Sequence, residues 1–171
     1  EDRIVEILKQ PKSWGIPLRP LTKTYGDRVL VVGDAAGMAK PTTGGGIYYS
    51  LLSGELAAEV ADDALTNRDV SEKRLRTYQK KWKALFGNEV RMGYVARKLY
   101  ESLSDEQVDR LLGAVVSSES RDGIISSDFS FDWHSRLIRS AIAHKDLGSV
   151  VRSFGPSMIP FLYKLRANSV S

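Results

Sequence analysis

The sequence predicts an α-rich chain whose first third carries the edge of an α/β unit. Three observations point there. Val29-Leu30-Val31-Val32 is the one convincing strand, a run of apolar and mostly β-branched residues stopped by Gly33-Asp34. A glycine triplet, Gly44-Gly45-Gly46, leads from it into a helical pattern. Beyond that point apolar residues recur at helical spacing almost to the end. The expected division is therefore 1–66 for the α/β part and 67–171 for an α-helical region.

In chain order, Ile4, Val5, Ile7 and Leu8 predict a first short helix that Pro11 ends. Gly15, Pro17 and Pro20 around Ile16 and Leu18 predict an extended segment confined to an edge, since proline cannot donate to a ladder. The 29–32 run predicts a buried parallel strand. Such a strand needs neighbours on both sides, and the chain offers almost no other. After the glycines, Ile47, Leu51, Gly54, Ala58, Ala61 and Leu65 make one helical stripe. Leu75, Tyr78, Trp82 and Leu85 mark the next helix, from about Ser71, with Gly87 suited to the position just past its end. Met92, Val95, Ala96, Leu99 and Leu103 predict a third. Ser104 and Gln107 form a capping box ahead of Val108, Leu111, Leu112, Val115 and Val116. Residues 117–133 read as a loop. Residues 137–143 and 146–154 read as short helices, and Pro156 opens a last one.

Composition narrows the function. Of 171 residues, 42% are hydrophobic and 27% charged, enough to bury a core. No run of about 18 apolar residues suggests a membrane span, and the first residues do not read as a signal peptide. With no cysteine, disulfides and cysteine-ligated clusters are excluded, and a cytoplasmic setting is expected. A net charge of +4 is too small to argue for nucleic acid without a clustered patch. His134 and His144, the only histidines, have no metal-ligand spacing around them, and no nucleophilic triad stands out.

The chemistry lies in the stretch from Val29 to Ile47. A strand that ends in Gly-Asp holds a carboxylate at its C-terminal edge, where ligands of α/β sheets bind. Glycines permit close approach to the backbone, and a helix N-terminus offers unpaired N–H groups with partial positive charge. The expected ligand has hydroxyls for Asp34 to accept from and an electron-rich edge for the amides of Gly45, Gly46 and Ile47. A nucleotide cofactor with a polyol arm meets both demands.

The order Gly33-Asp34-Ala35-Ala36-Gly37, then Pro41, Gly44, Gly46 and Ile47, then Ser53-Gly54 and Ala57-Ala58 in the helix, resembles the second FAD-binding motif of the p-hydroxybenzoate hydroxylase-like flavoproteins. Within that group it is most similar to the geranylgeranyl reductases, the family that saturates archaeal isoprenoid phospholipids. Trp14-Gly15-Ile16-Pro17-Leu18 resembles the family's lead-in to the motif. Leu103-Ser104-Asp105-Glu106 and Leu111-Leu112 resemble its helical tail more loosely. The strong likeness covers about residues 14–65. It implies the C-terminal part of a Rossmann-like FAD-binding fold followed by helices. It also implies FAD as cofactor, with Asp34 on ribityl or ribose hydroxyls, Pro41 near the flavin ring, and Gly44, Gly45, Gly46 and Ile47 at the flavin N1–O2 edge. The implied reaction is reduction of isoprenoid C=C bonds by an oxidoreductase drawing on an external donor such as NAD(P)H, ferredoxin or a deazaflavin. In this family the cofactor carries the chemistry, so no catalytic side chain is singled out. The family's Gly-x-Gly-x-x-Gly pyrophosphate turn is absent here. The chain is therefore expected to be a fragment that alone binds FAD weakly or not at all.

Two other readings compete. A monooxygenase of the same flavoprotein group shares the motif; a relative passing electrons to quinone ranks lower, because its iron–sulfur form needs cysteines. From a different class, residues 66–171 could be a non-catalytic docking module. Lys73, Arg74, Arg76, Lys80, Lys81 and Lys83 form either a solvated helix face or a patch for an acidic redox partner or for phospholipid head groups, the last implying peripheral membrane contact.

Overall fold

The structure is a computed structural model that describes residues 15–116, 130, 132–143 and eight scattered positions beyond (149, 150, 152, 153, 155, 156, 160 and 163). The expected helix at 4–8, most of the expected loop at 117–133, and most of the expected helices at 146–154 and after Pro156 lie outside the described residues.

Residues 15–22 form no strand. They run as an irregular segment tied at Leu21, whose N–H donates to the Ala36 carbonyl at 2.9 Å. Next comes a correction. Val29 and Leu30 do form a strand, β2 (Val29–Leu30), but it pairs antiparallel with β1 (Tyr25–Gly26), with Gly26 opposite Val29. Val31 N–H extends the pairing to the Thr24 carbonyl at 2.9 Å. The chain reverses through Asp27-Arg28, and Arg28 takes the left-handed conformation that such tight turns require (φ 59°). Among the described residues no parallel neighbour exists, so Val29 stays 50% exposed and Val32 is exposed as well.

A 3-10 turn, Gly33–Ala36, follows the hairpin. Five helices complete the described chain: α1 (Ile47–Thr66), α2 (Glu72–Trp82), α3 (Asn88–Glu101), α4 (Asp105–Val116) and α5 (Ser135–Ala143). The α-rich expectation holds for these residues. α1 packs on α2, α2 on the hairpin, and α3 on α5. The core therefore runs across residue 66 without a break: Ala57, Val60 and Ala64 of α1 meet Leu75, Tyr78 and Trp82 of α2.

The face α1 buries is not the one its apolar spacing suggested. Tyr49, Ser53, Ala57, Val60 and Ala64 are buried, whereas Ile47 is 82% and Leu51 69% exposed. Small residues let α2 approach closely, so the narrow side of α1 makes the core and its bulkier apolar side faces out.

Gly87 does not end α2. Ser71 caps the start, its hydroxyl accepting from Arg74 N–H at 3.4 Å. The chain then passes through a π-turn, Lys83–Gly87, straight into α3. The wide turn keeps Phe86 and Val90 in line with Trp82, and it leaves Leu85 exposed where a regular stripe would bury it. Phe86 stacks on Tyr49 with ring centres 5.0 Å apart. The capping box at α4 forms as expected: Ser104 N–H donates to Gln107 Oε1 at 2.9 Å and Gln107 N–H to Ser104 Oγ at 3.4 Å.

Candidate functional site

The turn after the hairpin is stitched to α1. Gly33 has φ 57°, and a Cβ there would collide with the Ser50 side chain. Its N–H donates to Ser53 Oγ at 3.1 Å, and Ser53 is fully buried. Gly37 N–H closes the turn on the Asp34 carbonyl at 2.9 Å, and Met38 N–H on the Gly33 carbonyl at 3.0 Å. Ala36, Met38 and Ala39 are fully buried. Asp34 is thus exposed on a rigid turn anchored on both sides.

The glycine loop is fixed by its own backbone. Lys40 N–H donates to the Gly45 carbonyl and Gly44 N–H to the Lys40 carbonyl, each at 2.8 Å. Gly44 sits at φ 75°, so glycine is favoured there. Gly46 is the residue before the first turn of α1, and no side chain caps its opening amides. A Cβ on Gly46 would lie 3.2 Å from Asp34 Cγ and collide with the carboxylate. The Asp34 carboxylate therefore lies against the uncapped N-terminus of α1, in space that only glycine leaves open. Among the described residues it has no hydrogen-bond or ion-pair partner.

The structure brings Asp34, Gly44, Gly46 and Ile47 together at one end of α1. The other two expected residues sit differently. Gly45 N–H is turned towards Thr43 Oγ1, at 3.4 Å. Pro41 is buried, with its ring against α3, where the missing side chain of Gly93 makes room.

Residues far down the chain brace this loop. Lys40 Nζ forms an ion pair with Asp132, and the Asp132 carbonyl accepts from Tyr49 Oη at 2.7 Å. Thr42 Oγ1 lies 2.7 Å from His134 Nδ1. Trp133 meets Tyr48 and Tyr49 edge-on. Glu89 of α3 accepts from Ser135 N–H at 2.8 Å and also bonds the Ser135 hydroxyl, so a carboxylate from another helix caps α5. Burial, with the Glu89 and Asp132 carboxylates adding to it, pushes the Tyr49 hydroxyl well above the ordinary tyrosine range. None of these partners is legible in the sequence, because each pair is 46 or more residues apart.

The assembled site offers an acceptor for hydroxyls, an uncapped helix entrance and exposed backbone. Its one hydroxyl–imidazole pair among the described residues, Thr42 with His134, braces the loop. Its chemistry is binding and electrostatic orientation.

A fold and a site of this kind define a class: the chain is similar over 83% of its length to a geranylgeranyl bacteriochlorophyll reductase-like protein of Thermoplasma acidophilum, with a TM-score of 0.62, 27% identity and 33% of that chain covered. Sequence relatives are more specific. The digeranylgeranylglycerophospholipid reductase of Methanocaldococcus jannaschii is 43% identical over 114 residues, 66% of this chain and 29% of the reductase. The first such reductase of Methanococcoides burtonii is 44% identical over 92 residues, 54% of this chain and 22% of the reductase. An uncharacterized Methanocaldococcus jannaschii protein is 35% identical over 148 residues, 84% of this chain and 37% of that protein. No family model matches. The resemblance read from the motif thus holds in sequence and in fold: the chain is similar to a stretch of the geranylgeranyl reductases. It spans well under half the length of the curated relatives it matches.

Proposed function

We propose that the chain is the C-terminal portion of an FAD-dependent oxidoreductase that reduces isoprenoid C=C bonds of archaeal-type membrane lipids. The observation that carries this reading is the Asp34 carboxylate against the glycine entrance of α1, in a chain similar to named digeranylgeranylglycerophospholipid reductases. The residues present fit FAD: a carboxylate without a protein partner accepts from sugar or ribityl hydroxyls, and uncapped amides suit an electron-rich ring edge or a phosphate. FAD, when bound, supplies the hydride that saturates the double bond. This chain's part is to hold and orient it. Asp34 fixes the polyol arm, Gly46 keeps the approach open, and the Lys40–Asp132 pair with the Tyr49 hydrogen bond keeps the loop in place.

The exposed apolar residues Ile47 and Leu51 lie beside this entrance. In the reading proposed here, the remainder of the flavoprotein and its lipid substrate cover them. The protein works in the cytoplasm at the membrane surface. Among the described residues no helix is long and apolar enough to cross a membrane. The test is anaerobic: full-length protein with FAD and a chemical reductant is incubated with an unsaturated isoprenoid glycerophospholipid, and the product is weighed by mass spectrometry. Stepwise gain of two hydrogens per double bond supports the reading. Oxygen-dependent gain of a hydroxyl, with no reduction under nitrogen, refutes it in favour of a monooxygenase.

A further inference from the structure

The irregular segment at 19–22, the π-turn, α3 and α5 line an open cavity of about 760 Å³. Four cations line it, Arg19, Lys83, Arg91 and Arg139, and no carboxylate does. Six cations elsewhere, Lys23, Lys40, Arg74, Lys81, Arg97 and Lys98, pair with carboxylates. The four in the cavity have none. Arg91 donates only to Asn88 Oδ1, at 3.2 Å, and Lys83 lies 5.7 Å from the centre of the Trp82 ring. Arg139 donates through Nη2 to Ser135 Oγ at 3.3 Å, but its Nε is fully buried without any acceptor. Glu89, which reaches Ser135, is already engaged by that residue's N–H and hydroxyl and does not line the cavity. A buried guanidinium nitrogen without an acceptor is costly and rarely left so.

We infer that this cavity binds a phosphate group. A guanidinium fork matches phosphate oxygens two at a time, and a lysine adds a point charge. The π-turn contributes by bringing Lys83 and the edge of Trp82 to the same wall. Apolar residues Leu21 and Val90 share the lining, so a phosphate ester with an apolar chain fits as well as the free ion.

The test uses full-length protein saturated with FAD, so that the cofactor's own phosphates do not register. Isothermal titration calorimetry is run with inorganic phosphate, glycerol phosphate and a short-chain dialkyl glycerophosphate below its micelle concentration. Saturable binding that weakens at least tenfold in both Arg91→Gln and Arg139→Lys, and is unchanged in Lys73→Gln on the outer face of α2, supports the inference. The two sources separate by affinity: tighter binding of the dialkyl ester means a lipid phosphate, and equal affinity for all three means a free phosphate. No binding of any of the three, or binding that Arg91→Gln leaves untouched, overturns it. Because calorimetry reads binding alone, the result stands apart from whether the protein reduces isoprenoids.

Discussion

Asp34 and Gly46 act as a pair: the carboxylate occupies the space that the glycine's missing side chain leaves. Gly46→Ala is therefore expected to displace Asp34 and weaken FAD binding in the full-length protein. The fold should lose about 1 kcal/mol, because alanine is a poorer residue than glycine at a helix entrance. Flavin titration and thermal melting separate the two effects; a large stability loss with unchanged FAD affinity would contradict the pairing. Tyr78 gives a prediction in pH. Burial pushes its hydroxyl up to about 12, and that hydroxyl donates to the Val31 carbonyl at 3.0 Å. The folded pKa exceeds the unfolded value of about 10, so its contribution is complete below about pH 10 and is lost as pH rises towards 12. Between those limits the unfolded chain has released a proton that the folded one keeps. Stability should fall with pH there, and Tyr78→Phe should flatten the slope by about 1.4 kcal/mol per pH unit. An unchanged alkaline slope in chemical denaturation would contradict this.

At the scale of elements, helices were legible where burial follows a regular stripe and illegible where it does not. Leu75, Tyr78 and Trp82 are buried as their spacing predicts, because large residues three and four apart dominate one face of α2. The apolar spacing of α1 points to a different face from the one it buries, because the core side, Tyr49, Ser53, Ala57, Val60 and Ala64, is mostly small and includes a serine. Gly87 looked like a terminus because glycine usually is one; a π-turn leaves no local mark, and only the buried run of Trp82, Phe86 and Val90 reveals it. The unbroken apolar run at 29–32 predicts a parallel strand buried on both faces, and the structure makes it one arm of a hairpin. The partner, Tyr25–Gly26, sits just upstream of a two-residue turn, and Tyr25 before Gly26-Asp27 was the available signal. The α5 cap is the element-level prediction. Glu89→Ala leaves the buried Ser135 N–H and hydroxyl without acceptors, which costs about 1–3 kcal/mol. Amide hydrogen exchange should quicken across 135–143 and stay unchanged in α1. Equal protection of 135–143 in the variant would show that the cap does not hold α5.

For the whole molecule, the turn and glycine entrance are legible in the sequence because they are local: Asp34 and Gly44 to Ile47 lie within fourteen residues of one another. Its bracing was not, since Lys40–Asp132, Thr42–His134 and Glu89–Ser135 join distant segments through the fold alone. The cationic cavity has no sequence signature for the same reason, with Arg19, Arg91 and Arg139 spread over most of the chain. The basic stretch of α2 proved divided: Arg74 and Lys81 pair with Asp63 and Glu59 of α1, and Lys83 turns to the cavity. The chain covers only 22–37% of the sequence relatives named above, and no pyrophosphate turn occurs in it. The isolated 171-residue chain is accordingly expected to retain little FAD on gel filtration, whereas the full-length protein retains it; tight FAD on the isolated chain would contradict this division of labour.

The most direct test is the FAD dissociation constant of the full-length protein, measured for the wild type and for Asp34→Ala. A charged hydrogen bond to a cofactor hydroxyl contributes about 1.5–3 kcal/mol, so the variant should bind FAD roughly ten- to a hundredfold more weakly. Equal affinity in the two proteins would contradict the assignment of Asp34, and with it the site on which the proposed function rests.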